Sequence, residues 1–260
     1  MNTGITDSGT FYVYNKKNQN SPIVFIHGVG LTHEIWQPQL DFFKDYSNLS
    51  YDILGHGKSS LKKEKISFDD FSNQLIELLN DLKIDKIHLI GFSIGSLIAR
   101  NFATKFNDRL KSLTLLGSIY KRSEEEQKIV NSRFAQAKKE LKLSKQALKR
   151  WFTDKYLEKN NDTYDKISSI LSSNNMANFL KVYELFVKHK NDEDFQKIKV
   201  NTLIMTGEYD VGSTVKMSKE LNKIIKNSEI KIIKNGKHLC GIECADDVNL
   251  TIKNFVSKNE

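Results

Sequence analysis

Six short runs of apolar, largely β-branched residues recur along the chain with helical text between them, and no other feature restricts its fold as tightly. They are PIVFIH at 22–27, LSYDIL at 49–54, KIHLIG at 86–91, LKSLTLLG at 110–117, VNTLIMTG at 200–207 and EIKIIKNG at 229–236. Such alternation builds a mostly parallel sheet with helices packed on its faces. Helices are predicted near 34–45, 68–83, 95–106, 214–226 and 246–258, where apolar residues return at three- and four-residue spacing. FYVY at 11–14 reads as an antiparallel edge strand.

The alternation stops between 120 and 195, where the text is helical and charged and holds no strand-like run. This segment is read as an insertion. Ser123 followed by Glu126 has the form of a capping box that opens its first helix. A helical insertion in an α/β sheet sits as a cap over the strand ends where ligands bind. With 260 residues, 39% hydrophobic and 28% charged, the chain has the length and composition for one large packed core carrying that cap.

The start, MNTGITDSGTF, lacks the basic and apolar parts of a signal peptide, and no apolar run approaches the ~18 residues of a membrane span. Two cysteines four residues apart, Cys240 and Cys244, make neither a disulfide framework nor a zinc site unaided. A cytoplasmic, reducing location is therefore expected, with both cysteines as small packing residues. The formal charge is +8, and residues 121–150 hold ten Lys or Arg against four Glu. That stretch can steer an anionic substrate, dock on a membrane or nucleic acid, or simply be a solvated helix face. The expected partner is a small molecule, with no nucleic acid and no membrane.

Chemistry enters at GFSIG, residues 91–95, directly after a predicted strand and before a predicted helix. A serine at such a turn is strained, tolerated because glycines flank it, and its hydroxyl projects above the sheet. Ser93 is the candidate nucleophile. Of six histidines, His238 follows the last strand and so shares the C-terminal sheet edge with Ser93, which makes it the candidate base. His88 lies on the wrong edge, His27 ends a strand and reads as support for its turn, and His33, His56 and His189 read as solvated.

A triad needs a carboxylate to hold the imidazole tautomer. Glu208 and Asp210 both follow a strand, and either serves by chemistry alone; Asp210 is taken as the candidate and Glu208 as a solvated loop residue. The order serine, acid, histidine is that of nucleophile-elbow enzymes. The backbone N–H groups of Ile94 and, in the turn HGVG at 27–30, of Val29 are the candidate oxyanion donors. GHGKSS at 55–60 is no phosphate loop, because Asp52 stands where that loop needs glycine. No G-x-G-x-x-G follows a strand, so dinucleotide binding has no support.

PIVFIHGVGLTHEIW, YDILGHGKS, IHLIGFSIGS, VNTLIMTGEYD and NGKHLCGIECADDVNLTIKNFV, in this order, resemble the α/β-hydrolase family across nearly the whole chain. Within it, HGVGLTHEIW, LKRWFTDKYL and KHLCGIE are most similar to 3-oxoadipate enol-lactonases and small carboxylesterases. The resemblance implies an α/β-hydrolase fold, with an eight-stranded, mostly parallel sheet flanked by helices and a helical cap inserted after the sixth strand. Residues 1–119 and 196–260 would form the core, and 120–195 a cap that is not an independent domain. It also implies the triad Ser93, Asp210 and His238, the donors Val29 and Ile94, and no cofactor or metal.

The chain departs from the family at Ser96, a frequent second glycine; after Asp210, where a proline is common; and at Asp246 or Asp247, where proline often opens the last helix. Trp151 is a candidate pocket wall or core residue, and His27 a second pocket candidate. The expected activity is hydrolysis of a small carboxylic ester or lactone, and the enol-lactone resemblance makes an anionic one natural. Carbon–carbon bond hydrolysis, thioester hydrolysis and acyl transfer use the same triad, and a non-catalytic binding protein can keep the fold.

Overall fold

The computed structural model describes residues 2–17, 20–140 and 146–260. Eight strands form one sheet: β1 (Asn2–Ile5), β2 (Phe11–Asn15), β3 (Ile23–Ile26), β4 (Asn48–Tyr51), β5 (Ile87–Phe92), β6 (Leu110–Leu116), β7 (Thr202–Gly207) and β8 (Ser228–Ile233). Their spatial order is β1-β2-β4-β3-β5-β6-β7-β8. β1 and β2 pair antiparallel, as do β2 and β4, and all remaining pairs are parallel. One expectation needs correction: FYVY belongs to an antiparallel strand, β2, but the edge is β1. That four-residue strand is largely exposed and carries no apolar pattern, so only its ladder to β2 identifies it.

β3, β5 and β7 are buried along their whole length, as strands covered on both faces must be. One apolar cluster packs α2 (Phe68–Asp81), α3 (Ile94–Lys105) and α9 (Val215–Ile224) on one face through Leu75, Leu97, Phe102 and Leu221. The other face is covered by α1 (Gln37–Phe42) and α11 (Ala245–Lys258), through Leu40, Val248 and Ile252. α10 (Cys240–Glu243) is a single turn between β8 and α11.

Among the described residues, five α-helices run between β6 and β7: α4 (Glu124–Glu140), α5 (Gln146–Trp151), α6 (Asp154–Lys159), α7 (Asn161–Ser172) and α8 (Met176–Val187). α4 opens on the capping box read from the sequence. Ser123 N–H donates to Glu126 Oε2 at 2.7 Å, and Glu126 N–H to Ser123 Oγ at 3.2 Å, an arrangement that contributes about 1 kcal/mol. Leu148, Phe152, Ile167 and Leu171 of this segment share an apolar cluster with Trp36 and Phe92, while Val182 joins the cluster under α3. No described helix is long and apolar enough to cross a membrane.

Candidate active site

β5 delivers Ser93 at its C-terminal end, and α3 starts on the next residue. Ser93 has φ 55° and ψ −119°, a left-handed conformation that costs a non-glycine residue on the order of 1–3 kcal/mol. Its surroundings impose it. Ser93 N–H donates to Leu116 O on β6 at 2.9 Å, and its own carbonyl accepts from Ser96 N–H at 2.9 Å and Ser96 Oγ–H at 2.5 Å. Ser96, a departure from the family pattern, thus adds a hydrogen bond to the turn. A Cβ on Gly91 would overlap the carbonyl of Gly95, and one on Gly95 would overlap those of Ile26 and His27. Strand, elbow and helix can close up only with glycine at both positions.

β7 and β8 bring the other two groups to the same place. A Cβ on Gly207 would overlap the carbonyls of Gly236 and Lys237, so glycine lets the loop after β8 settle on the end of β7. Tyr209 N–H donates to Gly236 O at 2.9 Å. Asp210 is buried in the turn beyond β7, where its Oδ1 accepts the N–H groups of Gly212 at 2.8 Å and Ser213 at 2.9 Å. Its Oδ2 lies 2.7 Å from His238 Nδ1, and His238 Nε2 lies 3.2 Å from Ser93 Oγ. A carboxylate accepts only, so the proton between them sits on Nδ1, and the lone pair of Nε2 faces the serine hydroxyl.

Glu208, the other acid, is exposed and accepts Asn235 N–H at 3.0 Å, tying the two loops without reaching His238. Chemistry left the two acids equal; the turn geometry separates them. The N–H of Ile94, first in α3, has no intrahelical acceptor. In the HGVG turn, Gly30 N–H donates to His56 Nε2 at 2.8 Å and Leu31 N–H to Gly28 O at 3.2 Å, whereas Val29 N–H has no partner among the described residues. Val29 also lines the cavity that contains Ser93.

That cavity has a volume of about 500 Å³, and Ser93, His238, Trp151, Phe179 and Tyr183 are among its walls. Trp151 is half-buried, with its ring 6.4 Å from that of His238, and its carbonyl accepts Leu239 N–H at 2.9 Å. Trp151 thus lines the cavity while also packing against the apolar cluster of Trp36 and Phe92. His27 is a correction: it is fully buried and absent from the cavity lining. The reason lies in its bonds, because Nδ1 donates to Gly28 O at 2.8 Å while Nε2 accepts Ile53 N–H at 3.0 Å, which turns the ring inward. Cys240 is buried, Cys244 is half-buried, and the two are unbonded.

Sequence reading missed several residues that hold this site. His56, expected in solvent, is buried and fixes Gly30. His33 donates through its backbone N–H, at 2.8 Å, to Asp52 Oδ1, which also lies 2.8 Å from its Nδ1. His189 packs 3.2 Å from Glu193, which pairs with the buried Arg100 of α3. Glu243 accepts from Thr153 N–H at 3.0 Å and from Lys237 N–H at 3.1 Å, bolting the α5–α6 junction to the His238 segment. The run DILGHGKS, which sets Asp52 and His56 directly after β4, was the available signal for both.

Burial pushes His27 down to about 4 and His56 down to about 3, from an ordinary 6.5. Between pH 6.5 and about 4 the unfolded chain protonates both rings while the folded one keeps them neutral. Their contribution to stability is thus complete above pH 6.5 and lost as pH falls toward 4, by up to about 1.4 kcal/mol per pH unit for each ring. Denaturant midpoints measured from about pH 7.5 down to about pH 4.5 should fall steadily. A flat profile would contradict neutral burial.

A serine on a strand-to-helix elbow after β5, with a carboxylate arriving from the end of β7 and a histidine from the end of β8, defines a class. This chain belongs to the alpha/beta hydrolase fold family, whose model matches residues 21–243. Among curated proteins it is similar to "(E)-2-((N-methylformamido)methylene)succinate hydrolase" of Acinetobacter baylyi, 29% identical over 91% of this chain and 90% of that one. "3-Oxoadipate enol-lactonase 1" of the same organism is 27% identical over 86% of this chain and 85% of its own. Among solved structures, the enol-lactonase from Burkholderia xenovorans LB400 superposes with a TM-score of 0.90 at 22% identity, covering 98% of this chain and all of that one, which is likeness of fold.

Proposed function

We propose that this protein is a serine hydrolase of small carboxylic esters or lactones. The observation that carries the reading is the continuous line of hydrogen bonds from Ser93 Oγ through His238 to Asp210. Ser93 Oγ attacks the carbonyl carbon and gives its proton to His238 Nε2, while Asp210 stabilises the imidazolium. The N–H groups of Val29 and Ile94 receive the oxyanion, each worth on the order of 3 kcal/mol. Collapse expels the alcohol, which takes the proton from His238, and water then resolves the acyl-enzyme by the same route. The scheme calls on no cofactor or metal. Relatives named as a succinate-derivative hydrolase and an enol-lactonase support hydrolysis at an acyl carbon.

Helices α4–α8 act in this reading as the cap that walls the cavity and chooses the substrate. A panel of esters, lactones, thioesters and β-diketones tests it: turnover of esters or lactones is expected, and turnover confined to thioesters or diketones would replace the proposed reaction with one of its relatives. Trp151→Ala should reorder the esters of the panel by roughly tenfold, because it removes wall surface beside His238. An unchanged ranking would return Trp151 to a packing role.

A further inference from the structure

The N–H groups of both chain neighbours of His238 are tied, directly or through one side chain, to the helical segment between β6 and β7. β8 ends at Ile233 and α10 begins at Cys240, so no ladder holds residues 234–239. Leu239 N–H donates to Trp151 O at 2.9 Å, and Lys237 Nζ–H to Lys149 O at 2.8 Å. Lys149 belongs to the basic stretch and enters here through its carbonyl, not its charge; the part of that stretch at 141–145 lies outside the described residues. Lys237 N–H donates to Glu243 Oε2 at 3.1 Å, and Glu243 Oε1 accepts Thr153 N–H at 3.0 Å and the Thr153 hydroxyl. One carboxylate thus joins the residue before His238 to the junction of α5 and α6.

The three groups that bond this carboxylate are all donors. Two N–H groups and a hydroxyl spread over two oxygens suit a carboxylate, which accepts on both and offers no hydrogen of its own. The bonds are charge-assisted and so of the stronger kind. Thr153 also caps α6, its Oγ accepting Tyr156 N–H at 3.3 Å. α10 is one turn, which has no stability of its own, so Glu243 fixes the loop and is fixed by the α5–α6 junction in return.

What the clamp sets is the approach of His238 to Ser93. Asp210 holds Nδ1 at 2.7 Å, whereas Nε2 stands 3.2 Å from Ser93 Oγ, at the long end for a hydrogen bond. Such a contact has little slack, and a misplacement of ~1 Å in a reacting group costs on the order of 10²-fold in rate. Glu243 and Thr153 are not among the residues that line the cavity.

We propose that Glu243 is a positioning residue for His238, acting with Thr153 to make the α5–α6 junction part of the frame that fixes Nε2 against Ser93 Oγ. This rests on the hydrolase reading above and adds to it a residue that does not touch the substrate. Its loss therefore acts on the proton transfer and not on binding.

The test is kcat and KM for 4-nitrophenyl acetate and 4-nitrophenyl hexanoate. Glu243→Gln leaves one accepting oxygen and turns an NH₂ toward a donor, so kcat should fall on the order of 10²-fold on both esters, with KM within about threefold. The rate at which a fluorophosphonate labels Ser93 should fall in parallel, since it too needs His238. Thr153→Ala should cost about tenfold in kcat, and Thr153→Ser, which keeps the hydroxyl, should recover most of it. The two residues work through one clamp, so Glu243→Gln combined with Thr153→Ala should lose no more than Glu243→Gln alone. Losses that multiply in the double variant, or that differ between acetate and hexanoate, overturn the proposal. A lowered unfolding temperature with unchanged kcat makes the clamp a bolt for folding only and overturns it too. If Glu243→Gln does not fold, the Thr153 pair decides, and a kcat that the serine hydroxyl fails to recover rejects the clamp. Ester turnover by the wild type with kcat kept in Glu243→Gln rejects the positioning role alone. A wild type that turns over neither ester and takes no fluorophosphonate ends the hydrolase reading and this role with it.

Discussion

Replacing Ser93 with alanine will lower turnover of any ester the protein accepts by on the order of 10⁵- to 10⁶-fold, the loss seen when a triad nucleophile is removed alone. The substitution takes away one oxygen and keeps the Cβ, so the elbow conformation imposed by Leu116 O and Ser96 stays as it is. A fluorophosphonate probe will add its phosphonyl group to wild-type Ser93 with loss of fluoride, and the mass gain will vanish in the variant. A folded wild-type protein whose mass the probe leaves unchanged would end the nucleophile assignment. It would also favour a binding protein that has kept the fold.

Asp210→Asn will cost about 10⁴-fold in kcat, through the tautomer of His238 rather than its position. Oδ1 of Asp210 accepts two backbone N–H groups, from Gly212 and Ser213. In the variant the amide carbonyl must take that side, since an NH₂ group cannot accept them. The NH₂ then faces His238 Nδ1, the imidazole proton moves to Nε2, and the nitrogen opposite Ser93 can no longer accept. Glu208→Gln will change kcat by no more than about threefold, because its side chain is exposed and, among the described residues, accepts Asn235 N–H alone. Steady-state rates on one ester decide the matter, and equal losses in the two variants would reverse the choice of acid.

Much of this site could be read before any coordinates, and for a physical reason. In a parallel βαβ sheet every strand ends on the same edge, so residues that follow β5, β7 and β8 must gather there however far apart they lie in the chain. That rule reaches Ser93 and His238 directly and narrows the acid to Glu208 or Asp210. The glycines at 91 and 95 follow from the stereochemistry of one turn, and the Ser123–Glu126 box from three residues of helix. β1 stayed hidden because an exposed polar strand carries no alternation to find.

What the sequence by itself determined was local: which runs are strands, where the elbow stands, and in what order nucleophile, acid and base come. Period, turn chemistry and capping act over a few bonds, so they are written in the string. The tertiary structure alone decided which acid meets the histidine, which histidines are braces in the interior, and which cations face the cavity. α4 is charged on most sides and buries only Val130 and Ala137, so no apolar stripe announces its inner face. Arginine and lysine stand there as equals in the text, and only the packing of α4 against α8 turned Arg133 toward the cavity and left Lys138 in water.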